Sequence, residues 1–84
     1  MARIVKVAAG HQDVRPHTSE VECYVQTLTD PKGELLVHLS TFGSAQRQSE
    51  PKSSQTMQVD KEIAADLVAY FIAAFGKSVL PAEV

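Results

Sequence analysis

The run Lys61–Phe75 constrains this chain more than any other feature. It reads Lys-Glu-Ile-Ala-Ala-Asp-Leu-Val-Ala-Tyr-Phe-Ile-Ala-Ala-Phe and is apolar at helical spacing on two sides at once. One stripe is Ile63, Leu67, Tyr70, Phe71 and Ala74, and the other is Ala64, Val68, Ile72 and Phe75. Asp60 in front is a good N-cap, Glu62 and Asp66 suit the positive end of a helix dipole, and Gly76-Lys77 is a plausible stop. A helix apolar nearly all round needs cover on both sides. A chain of 84 residues supplies one sheet to pack on one stripe. The second stripe therefore implies a helix-to-helix contact in a homodimer, formed by Ala64, Val68, Ile72 and Phe75.

Length points the same way. Residues 1–84 read as a single domain, and a domain of this size buries only about 60–65% of its unfolded surface. Such chains often depend on disulfides, a metal or a partner subunit. The lone Cys23 excludes an intrachain disulfide, and His11, His17 and His38 taken with Cys23 match no metal-ligand spacing. No metal and no cofactor are expected, which leaves oligomerisation.

Ahead of the helix, three regions read as β-structure. Arg3–Ala9 holds Ile4, Val5 and Val7 and reads as a short strand over 3–9. Val21–Thr29 and Glu34–Phe42 are rich in β-formers and flank Asp30-Pro31-Lys32-Gly33, where proline presets a turn and glycine tolerates positive φ. They form a hairpin over 21–29 and 34–42. A fourth strand spans 53–59, the helix 61–75 and a tail 76–84. Period-two alternation puts Val21, Cys23, Val25, Leu35, Val37 and Leu39 on one aliphatic face, here called the odd face, which must be covered. Cys23 is expected there as a small buried hydrophobe. The even face carries Glu22, Tyr24, Gln26, Leu36, His38, Ser40 and Phe42, joined from the fourth strand by Ser54, Thr56 and Gln58. The expected fold is α+β: a four-stranded, mainly antiparallel, curved sheet followed by one C-terminal helix, dimeric.

No arrangement of residues suggests catalysis. The serines between 40 and 54 are not framed by a nucleophile elbow or a phosphate loop, and Asp13, Glu20 and Glu22 are not paired for acid–base work. The expectation is a non-enzyme. Eight Lys/Arg against ten Asp/Glu give a net charge of −2, so no global field favours duplex DNA or an anionic membrane. Met1–Lys6 lacks an apolar signal region, and the longest apolar stretch is far short of the roughly 18 residues of a membrane span. A soluble, cytoplasmic protein is expected. The even face is the candidate site. Tyr24 and Phe42 suit base stacking, His38, Ser40 and Gln58 suit hydrogen bonding, and Lys6, Arg47 and Lys52 suit phosphates. On these residues alone, ordinary exposed strand aromatics favoured by β-propensity are the stronger reading.

The order of three strands, a polar loop with basic residues, a fourth strand and a long C-terminal helix resembles the positive-cofactor-four type of transcriptional coactivator and its bacterial relatives. Leu35-Leu36-Val37-His38-Leu39-Ser40-Thr41-Phe42 is similar to that family's third strand, Lys52–Val59 to its fourth, and Asp60 onward to its helix. Lys52 is followed by Ser53-Ser54 where the family has Gly-Ile. The resemblance implies a two-fold dimer through the helix and single-stranded DNA bound on the sheets, in transcription or DNA maintenance. The alternative, from a different class, is a small dimeric protein–protein interaction module that binds no nucleic acid.

Overall fold

The computed structural model describes residues 1–43 and 53–82. Four strands, β1 (Ala2–Arg3), β2 (Glu22–Thr29), β3 (Leu35–Phe42) and β4 (Ser53–Val59), form one sheet in the order β1-β4-β3-β2, followed by helix α1 (Lys61–Phe75). A 3₁₀ turn, Lys77–Val79, follows the helix. The class is α+β, with the helix C-terminal to the sheet.

The β2–β3 turn is built by one aspartate. Asp30 Oδ1 accepts hydrogen bonds from the N–H groups of Lys32 and Glu34, both at 2.9 Å. Gly33 takes φ 85°, a backbone conformation that L side chains rarely adopt. The hairpin register follows, with Val25 opposite Leu39 and Tyr24 opposite Ser40. β4 pairs with the other side of β3, Ser40 opposite Thr56 and His38 opposite Gln58. A shift between Thr41 and Phe42 sets Phe42 opposite Ser53.

The sheet is mixed, not mainly antiparallel. β2–β3 and β3–β4 are antiparallel, but β1 lies parallel to β4, Ala2 opposite Met57 and Arg3 opposite Gln58. The expected strand over 3–9 is also much shorter, and the reason is geometric. Running parallel to β4, β1 passes the end of its partner after Ile4, whose N–H donates to the carbonyl of Gln58. Beyond Val59 the chain turns into the helix, so Val5 and Val7 have no ladder to join.

Helix α1 begins as its sequence dictates. The Asp60 backbone is extended and its carboxylate accepts the Ile63 N–H at 2.9 Å. At the other end Gly76, at φ 83°, donates its N–H to the Ile72 carbonyl and stops the helix. The core is small. The buried apolar side chains among the described residues are Leu36, Val59 and Ile63, each at 6% exposure or less. Of the stripe expected on the sheet, Ile63 is buried and Leu67 half-buried, while Tyr70 and Phe71 are exposed. Of the stripe assigned to a dimer contact, Ala64 and Ile72 are half-buried, Val68 is exposed and Phe75 is 70% exposed. The helix thus leaves its own sheet after the first turns.

The odd face is accordingly covered only in part, with Val59 buried and Val37 and Leu39 half-buried. Val25, Leu35 and Met57 are exposed, and so is Cys23, which corrects its expected burial. The alternation places these residues on one face, but the helix of the same chain lies only near its Val37–Val59 end and leaves the rest exposed. Among the described residues no helix is long and apolar enough to cross a membrane, and no group of three or more His, Cys, Asp and Glu is placed to hold a metal.

Candidate nucleic-acid interface

Directly opposed residues in a ladder share a face, so the register assembles the even face in rows. Gln26, His38, Gln58 and Arg3 form one row across all four strands. Tyr24, Ser40 and Thr56 form the next, and Glu22 stands opposite Phe42 beyond them. Tyr24 and Phe42 are therefore diagonal neighbours, within reach of each other across the β2–β3 ladder. Their ring centroids lie 5.2 Å apart at 82°, an edge-to-face pair. Phe42 is half-buried and Tyr24 is 55% exposed, so the tyrosine ring offers the open stacking surface.

The tyrosine is held by its own strand. Its hydroxyl donates to Glu22 Oε2 at 2.8 Å, two residues back on the same face. That hydrogen bond, reinforced by the carboxylate charge, pushes the phenol pKa above its ordinary value. In the neighbouring row Gln58 Nε2 lies 3.0 Å from His38 Nδ1. An amide nitrogen can only donate, so Nδ1 is the acceptor and the neutral ring carries its proton on Nε2. The row thus presents one oriented donor from His38 and the carbonyl oxygen of Gln58. Ser40, by contrast, is 6% exposed and belongs to the interior of the sheet.

The cations are placed less favourably. Arg3 shares the His38 row, but its guanidinium is engaged by three carboxylates: Glu34 at 3.0 Å, Asp60 at 3.4 Å and Asp30 at 3.5 Å. Burial works against its charge, but the hydrogen bond and charge of Glu34 and then those of Asp60 outweigh it, leaving the pKa raised. Lys6 is exposed and lies past the end of β1, off the sheet. Arg47 and Lys52 lie outside the described residues. The structure therefore brings together Tyr24, His38, Ser40, Phe42 and Gln58, and leaves Lys6 apart.

Two members of the site were not singled out from sequence. Glu22 is a period-two neighbour of Tyr24, and that spacing alone was enough to place the carboxylate beside the ring. Arg3 carried no such signal, because its partners lie 31 and 57 residues away in Glu34 and Asp60. Comparison with protein-family models, with curated proteins and with solved structures finds no match to this chain.

Proposed function

We propose that the even face binds single-stranded nucleic acid without chemistry, as a platform for stacked bases. The observation that carries this reading is the Tyr24–Phe42 edge-to-face pair, with the tyrosine ring open to solvent beside the oriented polar groups of His38 and Gln58. Aromatic stacking plus neutral hydrogen bonding is how sequence-tolerant single-strand binders grip bases. Arg47 and Lys52 supply the phosphate contacts in this reading, and Lys6, which lies off the sheet, is not counted among them. The resemblance of the sequence layout to the positive-cofactor-four type of coactivator supports it, and so does a face whose aromatic and amide groups are neutral.

Titration with short single strands at two salt concentrations tests it. Tyr24→Ala should weaken binding by roughly ten-fold or more, since stacking is worth about 1–3 kcal/mol per base. Arg47→Ala combined with Lys52→Ala should lower the salt slope by about 1.4, the value for two released counterions on a single strand. Absence of binding by the unmodified protein at low salt would remove this reading. The even face would then be the docking face of a protein-interaction module, the reading favoured by the engagement of Arg3 with three carboxylates.

A further inference from the structure

We propose that Arg3 is a two-position phosphate contact of the even face. Carboxylates hold it in the free protein, and a bound single strand turns it into a hollow between β1 and β4 that takes one phosphodiester group. This role rests on the even face binding single strands. It supplies that face with a cation, since the register places no other Lys or Arg there among the described strand positions.

The register sets up both positions. Arg3 stands opposite Gln58. Thr56, two residues earlier, and Asp60, two residues later on a backbone still extended, flank Gln58 on the same side of the chain. Such positions lie roughly 7 Å apart along a strand, within the reach of an arginine side chain placed between them. In the structure the guanidinium is turned toward Asp60. There Nη2 meets Glu34 at 3.0 Å and Asp60 at 3.4 Å, and Nη1 meets Asp30 at 3.5 Å. Toward Thr56 lies a hollow of about 150 Å³, walled by Met1, Ala2, Arg3, Thr56 and Gln58. Its polar side chains carry donors: the Thr56 hydroxyl, and the second N–H of the Gln58 amide, whose first goes to His38. A guanidinium turned into the hollow adds the paired N–H groups that match phosphate oxygens.

The exchange is cheap because the hold is exposed. The side chains of Arg3 and Glu34 are 37% and 47% exposed, and ion pairs so open to solvent contribute little. Two of the three carboxylates also keep their other tasks when Arg3 leaves. Asp60 still caps the helix through the Ile63 N–H, and Asp30 still accepts from Lys32 and Glu34 in the turn. The Glu34 carboxylate has Arg3 as its partner and, among the described residues, no cap or turn to hold. Glu34 is therefore the acid that sets how firmly Arg3 is kept from the hollow. The hollow is also in line with the stacking surface. Tyr24, Ser40 and Thr56 share one row, so Thr56 lies two strand spacings, roughly 10 Å, from the tyrosine. A single strand crossing the sheet along that row meets the ring at β2 and the hollow at β1.

Titration of the full chain with a short oligothymidylate over a series of salt concentrations tests this. Arg3→Gln should weaken binding about five-fold and lower the salt slope by about 0.7, the value for one phosphate on a single strand. Glu34→Gln should tighten binding about three-fold, because it loosens the hold on Arg3. That gain should vanish in an Arg3→Gln background. Thr56→Val, which leaves Arg3 and its carboxylates in place, should weaken binding about three-fold with the slope unchanged. Unaltered affinity and slope in Arg3→Gln overturn the proposal. So does a Glu34→Gln gain that persists in full without Arg3, since plain repulsion of the phosphate then explains it. Should Arg3→Gln unfold the chain, Thr56→Val decides alone, and unaltered affinity in that variant overturns the hollow. Absence of binding by the unmodified protein removes the stacking reading and this role together. Binding that Tyr24→Ala weakens and Arg3→Gln leaves untouched removes this role only.

Discussion

Asp60 performs two jobs with one carboxylate. It caps α1 by accepting the Ile63 N–H, and it takes part in the ion-pair cluster around Arg3. The Ile63 hydrogen bond is the main cause of its lowered pKa, partly opposed by burial and then aided by the hydrogen bond and charge of Arg3. The folded value lies below the unfolded one, so the stability it contributes is present above about pH 4. That stability is lost as pH falls through the folded value. Asp60→Asn should keep much of the cap, because asparagine also caps, while removing this acid-sensitive part. The melting temperature of the variant should therefore fall less between pH 7 and pH 3 than that of the unmodified protein. An identical pH dependence in the two proteins would refute the assignment. The capping role was legible in the sequence, where Asp60 stands directly before an apolar helical run. The ion pair was not, since nothing local ties Arg3 to residues so distant along the chain.

Among the elements, the hairpin is the most firmly specified. Asp30, Pro31 and Gly33 carry turn chemistry in their side chains and backbone preferences, and the strands beside them alternate with period two, so faces and turn are both legible. The structure adds the Asp30 carboxylate as the acceptor for two backbone N–H groups. At Gly33 an added Cβ meets nothing within 4 Å, so a substitution there tests the backbone alone. Gly33→Ala should cost about 1–2 kcal/mol, the penalty of a left-handed conformation for an L-residue. Urea unfolding at one fixed protein concentration measures it. A change near zero would mean that the turn relaxes to another geometry. The first strand and the far end of the helix were less legible. β1 stops at Arg3 because β4 stops at Val59, a limit set by the partner strand and not by the apolar residues Val5 and Val7. The helix stripes were visible as periodicity, but periodicity does not reveal how far along α1 the sheet extends. Ile63 is buried and Phe75 is not, because the helix outruns the sheet.

At the scale of the whole molecule, the strand order separates near contacts from far ones. β2, β3, β4 and α1 follow one another in sequence and in space, joined through neighbouring pairings. β1 alone comes from the opposite end of the chain, fastened by Arg3 to Asp30, Glu34 and Asp60. The loop that this fastening closes, from Arg3 to Asp60, spans 57 positions. Contacts that close so long a loop carry a larger entropic cost than hairpin contacts and tend to form late in folding. Arg3 therefore acts on the clock of the molecule more than on its plan. Arg3→Ala should leave the refolding rate nearly unchanged and speed unfolding by about three-fold, the pattern of an interaction absent from the transition state. Stopped-flow refolding and unfolding in urea would show it as a shift of the unfolding limb alone. A slowed refolding limb would instead place the docking of β1 at the start of folding.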